Sequence, residues 1–493
     1  MALGGRATAT KTAAVRAAVV SRAEVSATAL GAAARDVVAP FLSRLRVRIR
    51  DDIRVWSRVS VAGIGGPALQ ITIMHRLLVH KRRWISDDRF FHALSYCIAM
   101  PGPETQQLAI YIGWLSNRMI GGIIAGGLFI LPGILCMMAL SFGFVTGANS
   151  QIGQAIFFGV KPAILAIMTE AIVRFGRHVL HGRWMVGLAA LAFAAAFLRL
   201  PFPLIVCAAA VLGLFAALAG LPGFRGAVRA AKDEFGIAGR DGGSALPDHT
   251  RPGKVEFVRS LLVWLALWLA PPIALLAVLG PASVYAQISL LFSKVALMAI
   301  GGDYAVIAYA AQQVVDSYHW VTNREMQEGI AMGEMVPGTI MIVTQFLGFI
   351  AAYRDAGALP PLVAGVLGGL LATWATFAPC FLWIFVVAPF IENFRDNSLL
   401  DGPLRAVTAA AVGMIVNLSV WFGIRTLFHT VGAVHYGWLS FDLPSIASLD
   451  LPSLALFAAA AIAVLRFRFT AIATLAASCA IGMILLFFGL TTS

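Results

Sequence analysis

Charge is scarce in this chain of 493 residues. Asp, Glu, Lys and Arg together make up 12% of it, against about a quarter in an ordinary soluble domain. Hydrophobic residues make up 59% of the chain, and the mean hydropathy is +0.84. Such a composition excludes a soluble globular protein. Long apolar runs recur from about Met119 to the C-terminus, so we predict a membrane protein.

Cysteine pairs and catalytic motifs are also lacking. The five cysteines lie inside apolar segments without a CxxC pair, which argues against disulfides and a zinc site and favours small buried residues. The chain contains no HExxH, GxSxG or P-loop motif. A membrane-embedded hydrolase and an ATP-driven pump are therefore disfavoured. We expect no enzyme activity, no cofactor and no bound metal.

The net charge of +13 comes from basic residues in short loops between apolar segments. This distribution fixes the orientation of an inner-membrane protein, so we expect no nucleic-acid partner. Residues 1–54 form a basic extension whose first acid is Glu24. We interpret it as cytoplasmic, with an organellar transit peptide as the alternative. The hydrophilic, Gly/Pro-rich connection 221–259 is predicted to be cytoplasmic.

An internal duplication organises the chain. At a shift of 236 residues, glycine pairs, a tryptophan and a Pro-Gly pair coincide without a gap. Apolar bias alone would not bring Trp and Pro-Gly into register. The coinciding positions are Gly65-Gly66 with Gly301-Gly302, Trp84 with Trp320, and Pro101-Gly102 with Pro337-Gly338.

Apolar runs divide the chain into two matching halves around the connection 221–259. The single run 260–279 has no partner in the first half and carries the chain across the membrane, so the second half begins on the opposite side. We therefore predict an all-α polytopic membrane protein, an inverted repeat of two homologous halves with broken or re-entrant helices. The predicted divisions are the extension 1–54, the first repeat 55–220, the linker 221–259, a connecting helix 260–284 and the second repeat 285–493. The predicted spans are 119–145, 154–173, 184–198, 203–220, 359–388, 406–428, 452–465 and 469–490, with 429–450 as a loop.

The segments that contain the duplicated motifs are interrupted. Pro101-Gly102-Pro103 divides 88–116 into two arms too short to cross a hydrocarbon core of about 30 Å. We interpret these segments as hairpins that dip into the bilayer, although two full spans would give the same loop charges. Interruptions at corresponding positions of two halves indicate a binding site, because a restarted helix offers free N–H groups to an anion. Close helix packing is the alternative role for the glycines.

Candidate anion-binding residues lie in and around these breaks. Cations at equivalent positions, Arg58 and Lys294, suit a dianion, although Arg58 could equally snorkel at the interface. Lys161 is a third cation, and Glu170 with Arg174 is predicted to be a structural pair. Glutamine amides can donate to an oxyanion. The remaining candidates are Gly65, Gly66, Pro67, Gln70, Pro101, Gly102, Pro103, Gln106, Gln107, Gly301, Gly302, Pro337 and Gly338.

Three acids near the breaks are candidates for proton or charge coupling. Glu104 follows Pro103, Glu334 lies three residues before Pro337, and Asp303 follows the second glycine pair. A desolvated carboxyl disfavours its charged form and can carry a proton. Capping of the restarted helix is an equally good explanation for Glu104.

At these residues the sequence resembles the chromate ion transporter family in its long, two-domain form. GGPALQITIMHRLLVHKRRW and AMPGPETQQLAIYIGW resemble the family's first half, and FSKVALMAIGGDYAV and GEMVPGTIMIVTQFLGF its second. The family's Phe-Gly-Gly-Pro motif falls on Ile64 to Pro67, and its Pro-Gly-Pro on Pro101 to Pro103. The chain departs from the pattern by Ile64 and Ile300 in place of Phe, by Asp303 in place of a small residue, and by Thr339 in place of a second Pro.

The resemblance implies export of chromate across the inner membrane, coupled to protons or anion exchange. The expected partners are chromate or a sulfate-like dianion and membrane lipids, and a homodimer is compatible with the sequence. A sulfate or other oxyanion permease and an anion channel are the alternatives.

Overall fold

A computed structural model shows a helical protein with one short β-hairpin among its described residues. These are 50–61, 67–147, 150–180, 182–221, 224, 253–299, 303–391, 401–436 and 439–488. The chain forms two compact units, Met1–Val55 and Trp56–Ser493. Most of the predicted extension and of the 221–259 linker lies outside the described residues, as do Ile64, Ile300 and both glycine pairs.

The first repeat alternates broken and continuous helices. Helix α4 bends back on itself at Asn117 and Arg118, whose backbone is not helical, so it consists of two arms, 104–116 and 119–147. Gly113 and Gly121 allow the arms to touch, because an added Cβ on either would lie within 2.4 Å of the other's carbonyl oxygen. The helices are α1 (50–61), α2 (Pro67–Met74, continued by a π-helix His75–Lys81), α3 (Asp87–Ala99), α4 (Glu104–Gly147), α5 (Gln151–Val179), α6 (Arg183–Phe197) and α7 (Phe202–Leu218).

The second repeat follows a connecting helix, α8 (Lys254–Leu279). Its helices are α9 (Val284–Met298), α10 (Asp303–Gln312, continued by a π-helix Gln313–Ser317), α11 (Asn323–Met335), a 3₁₀ turn (Ile340–Ile342), α12 (Val343–Arg354), α13 (Pro361–Ile391), α14 (Asp401–Leu427), α15 (Leu451–Leu465) and α16 (Ala471–Phe487). The predicted spans fall on the second arm of α4, on α5 to α8 and on α13 to α16.

The 429–450 segment, predicted as a loop, contains a β-hairpin instead. Strands β1 (Val431–Tyr436) and β2 (Leu439–Pro444) pair antiparallel, with Val431 opposite Pro444 and Tyr436 opposite Leu439. Strand β1, with the sequence VGAVHY, lacks a strict period-2 alternation, so no strand signal stands out among the long helical runs.

The duplication found in the sequence recurs in the backbone. Helices α3 and α11 have the same bounds at the shift of 236 residues. The turns before them match as well, since the N–H of Trp84 donates to Leu78 at 2.8 Å and that of Trp320 to Val314 at 2.9 Å. Gly102 and Gly338 also share a left-handed backbone, with φ of +118° and +115°. Local structure is therefore repeated at the Trp turns, in the helices after them and at the Pro-Gly turns.

The two repeats interlock through equivalent helices. In the first repeat α5 packs on α15 and α16 of the second, and in the second repeat α14 packs on α6 and α7 of the first. Glycines allow close approach at both crossings: a Cβ on Gly159 would lie 2.2 Å from the Ser478 carbonyl oxygen, and one on Gly402 would lie 2.4 Å from that of Gly213. Each repeat therefore completes its core with helices of the other.

Five helices among the described residues are long and apolar enough to cross a membrane. They also expose many large apolar side chains, for example Val278 on α8 and Leu135 on α4, which is the surface expected to face lipid. The five are Glu104–Gly147, which contains the bend, Gln151–Arg177, Val255–Leu279, Pro361–Ala388 and Arg405–Leu427. The prediction of an all-α polytopic membrane protein is confirmed.

Candidate functional site

The two Pro-Gly turns interrupt helices at equivalent points. Helix α3 ends at Ala99 and α4 begins at Glu104, while α11 ends at Met335 and a 3₁₀ turn begins at Ile340. The left-handed backbone of Gly102 and Gly338 suits glycine, because a Cβ there is strained. Each turn therefore leaves the first N–H groups of a restarted helix without intrahelical acceptors.

Each Pro-Gly turn is hydrogen-bonded to the opposite repeat. The N–H of Gly102 donates to the carbonyl of Ala299, 2.8 Å away and two residues before the second glycine pair, Gly301-Gly302. In return, Nε2 of the buried Gln70 on α2 donates to the carbonyl of Gly338. Each Pro-Gly turn therefore contacts the other half, Gly102 through Ala299 and Gly338 through Gln70.

Candidate acids lie close to the Pro-Gly turns. Asp303, 2% exposed, begins α10 and accepts a hydrogen bond from the hydroxyl of Thr339, the residue that follows Gly338. Glu104 lies near enough to interact electrostatically with Asp303. Glu334 is buried in the last turn of α11, 5% exposed. Two candidate coupling residues from different repeats therefore share one site.

The start of α4 holds polar atoms that no protein group satisfies. Among the described residues, the Gln106 amide, the Thr105 hydroxyl, Oε1 of Gln107 and Oδ1 of Asp303 are buried without a hydrogen-bond partner. The amide nitrogen of Gln107 is engaged, donating to the Pro101 carbonyl at 2.6 Å. Buried polar groups are almost always paired, so such a cluster indicates water or a ligand between them.

The three predicted cations differ in their surroundings. Arg58 and Lys294 have exposed side chains on α1 and α9. Nζ of Lys161 on α5 lies 3.3 Å from Oε1 of Glu328 on α11, and Glu328 also accepts from Arg324 at 2.9 Å. Lys161 therefore compensates a buried carboxylate, and Glu328 is a residue that sequence reasoning missed.

Other structural expectations have mixed outcomes. The Glu170–Arg174 pair is confirmed on α5. Cys97 and Cys380 are buried as expected, whereas Cys136 and Cys207 are exposed. Cys380 belongs to the site, since its thiol is hydrogen-bonded to Gln107. No local pattern marks it, because the contact joins the two halves.

One group of side chains has the composition of a metal site. The ligand atoms of His75, His80 and Asp87 lie within 4.8 Å of one another. However, Nε2 of His75 and Oδ1 of Asp87 are hydrogen-bonded at 2.6 Å, shorter than the roughly 3.3 Å that separates ligands around tetrahedral zinc. Burial lowers the pKa of His75, and the hydrogen bond to Asp87 opposes that effect. The contact is explained by this hydrogen bond alone.

A helical membrane protein of two matching halves, in which each Pro-Gly turn contacts the opposite half, has features typical of membrane transporters. The profile of the chromate transporter family matches residues 52–214 and, a second time, residues 286–483. The chain belongs to this family.

The chain matches relatives that extend over both repeats and relatives about as long as one repeat. A chromate transport protein of Cupriavidus metallidurans is 25% identical over 382 residues, 77% of this chain and 84% of the relative. One of Pseudomonas aeruginosa is 29% identical over 364 residues, 71% and 75% of the respective chains. The uncharacterized transporter YwrB of Bacillus subtilis is 31% identical over 152 residues, 31% of this chain but 76% of YwrB, as expected if one repeat exists alone. No solved structure matches.

Proposed function

We propose that the protein exports chromate across the inner membrane as a secondary transporter coupled to protons or to anion exchange. The observation that carries the proposal is the set of buried, unsatisfied polar atoms at the start of α4, where Glu104 interacts electrostatically with Asp303 of the other repeat. Free N–H groups and the positive end of a helix dipole favour an oxyanion there, and the Gln106 amide can donate to it. Family membership supports chromate as that oxyanion.

The acids beside the cluster account for coupling. Ionised Glu104 and Asp303 would repel a dianion, so anion binding favours their protonated forms. By linkage, protonation then favours anion binding to the same extent. We propose that Arg58 and Lys294, which are exposed at equivalent positions, attract the anion. We also propose that the two glycine pairs form part of the anion-binding site.

We also propose that the repeats are inverted. The second arm of α4 would carry the chain across the membrane, and α5 would carry it back. Helix α6 then crosses again, so Arg199 would lie on the side opposite Arg118. Arg199 donates to Asp316 at 3.2 Å. Arg354, the counterpart of Arg118, donates to the Trp320 carbonyl at 2.6 Å, four residues from Asp316. Equivalent turns would thus face opposite sides, and the basic HKRRW turn would be cytoplasmic.

The decisive experiment measures anion flux into proteoliposomes, with chromate compared with sulfate under an imposed pH gradient. We expect saturable chromate flux that follows the proton gradient and is inhibited by sulfate. Glu104→Gln should abolish the response to the pH gradient, because a neutral amide cannot exchange a proton. The exposed Glu256 on α8 supplies the matched control, Glu256→Gln, which should respond as the wild type does.

Other results would assign a different function. Sulfate flux without chromate flux would indicate an oxyanion permease with the same site. Flux that rises linearly with concentration and ignores the pH gradient would indicate a channel. Unchanged coupling in a well-folded Glu104→Gln protein would remove this residue from the mechanism.

A further inference from the structure

A cavity of about 110 Å³ lies apart from the Pro-Gly turns, between the first repeat's α6–α7 connection and helices α10, α11 and α14 of the second. Nothing so far has assigned it a role. The volume has room for an anion of five heavy atoms with accompanying water.

The polar lining of this cavity suits an oxyanion. Arg425 and Arg199 contribute guanidinium groups, and Asn417, Asn323 and Gln312 contribute amides. The guanidinium of Arg425 lies over the Trp421 ring, 4.8 Å from its centroid, which holds it in place at the end of α14. The one carboxylate in the lining is Asp316, whose Oδ2 is 3.2 Å from a guanidinium nitrogen of Arg199. The lining therefore has a net positive charge.

The cavity leads toward the site already described. Arg425 and Asn417 lie eight residues apart on α14, which corresponds to a depth of about 12 Å. Ala308, at the wall, lies five residues after Asp303 on α10, about 7.5 Å along the same helix. Helix α10 also continues into a π-helix at Gln313–Ser317, a distortion frequent at functional sites.

We propose that this cavity, the outer vestibule, is a second binding site for the tetrahedral dianion, held by Arg425 with the Asn417 amide. An exported anion would occupy this site last before release, and an imported anion would occupy it first. The proposal rests on the proposed function for the identity of the anion. Its side of the membrane follows from the inverted arrangement, which makes the Arg199, Asp316 and Arg425 ends external.

The test is equilibrium dialysis of radiolabelled chromate against the purified full-length protein, with sulfate as competitor. The wild type should bind two anions per chain. Arg425→Gln should weaken one of the two sites about tenfold, the effect of losing one charge-assisted hydrogen bond, while Arg425→Lys should retain most of the affinity. The exposed Arg177 on α5 supplies the control, because Arg177→Gln should bind as the wild type does.

Two further variants separate binding from folding. Asn417→Asp, which adds a negative charge with little change of shape, should weaken the same site at least tenfold. Asp316→Asn removes a repelling charge and should strengthen it about threefold. A structural role would make every substitution weaken binding, so a weaker Asp316→Asn protein would overturn the proposal.

The outcomes also distinguish this proposal from the proposed function. Wild-type protein that binds no chromate would overturn both. A single site, lost in Gln106→Ala and unchanged in Arg425→Gln and Asn417→Asp, would uphold the transport site and overturn the vestibule.

Discussion

At the scale of residues, two departures from the family pattern explain each other. Asp303 stands where a small residue is common and Thr339 where a second proline often follows Pro-Gly, and the two side chains are hydrogen-bonded. Proline could not donate this bond, and a small residue at 303 could not accept it. The Thr339 oxygen also accepts from the N–H of Met341 at 3.2 Å, so it caps the restarted turn. We infer that in this chain the hydrogen bond between the Thr339 hydroxyl and the Asp303 carboxylate replaces the rigidity of a second proline in the turn.

The Pro-Gly turns give a test of local geometry. Gly102→Ala should destabilise the protein by about 2 kcal/mol or more, because its φ of +118° strains an alanine and the added Cβ would lie 2.8 Å from Nε2 of Gln107 and 2.9 Å from Sγ of Cys380. Gly338→Ala has the same backbone strain, with φ +115°, but its added Cβ would have no atom closer than 4.0 Å. The difference in stability between the two variants therefore measures the cost of the clash at Gly102.

The measurement is thermal unfolding of the purified variants in detergent. Gly143, in the second arm of α4, has open space around its Cβ position and supplies the control. Gly143→Ala should leave the stability unchanged or raise it by up to about 1 kcal/mol. If Gly102→Ala unfolds no earlier than Gly338→Ala, the described packing around Gly102 is wrong.

The sequence could predict those site residues that carry a local signature. Pro-Gly pairs, the glutamines after them and acids beside them were found, because a break within an apolar run is visible in one short stretch. Thr339 was noted as a departure without a role. Glu328 was missed because its partner Lys161 is 167 positions away, and no local rule connects α5 with α11.

At the scale of elements, helix bounds followed the apolar runs to within a few residues, because lipid-facing helices must be apolar along their length. The bend at Asn117 and Arg118 lacks proline or glycine, yet it falls between the predicted segments 88–116 and 119–145, because Arg118 interrupts the apolar run there. Arg118 has φ of +54°, a left-handed conformation that composition does not reveal.

The Lys161–Glu328 pair joins elements of different repeats. The side chain of Glu328 is 4% exposed and that of Lys161 16%, so each charge depends on the other for compensation. Arg324 is largely exposed and adds less. The pair is therefore expected to fix α11 against α5 rather than to bind the anion.

A double-mutant cycle tests that role. Glu328→Gln alone should destabilise the protein by about 3 kcal/mol, because Lys161 is left buried without its counter-charge. The double variant Lys161→Met with Glu328→Gln should recover most of the loss. Glu170→Gln, which breaks the pair with the half-exposed Arg174, should change the stability by less than about 0.5 kcal/mol. Additive single effects in denaturation experiments would show that the two side chains do not interact.

At the scale of the whole molecule, the interlocked packing limits how the protein can change shape. Because α5 packs on α15 and α16 while α14 packs on α6 and α7, neither repeat can move as a rigid body without breaking the core of the other. The glycine crossings bring those helices to backbone contact and make sliding costly. The broken segments belong to neither crossing, so we propose that they, apart from α11, which the Lys161–Glu328 pair fixes against α5, rearrange to open the site to either side.

The orientation of the two repeats can be tested at one pair of equivalent positions. Lys81 and Ser317 are related by the shift of 236 residues, and both are exposed at the end of a π-helix. If the repeats are inverted, a membrane-impermeant maleimide should label Ser317→Cys in intact cells and Lys81→Cys only after permeabilisation. The wild type, with exposed Cys136 and Cys207, measures background labelling. Labelling of both positions from the outside would mean parallel repeats. The outer vestibule could then no longer be assigned to the external side, while the contact of each Pro-Gly turn with the opposite repeat would be unaffected.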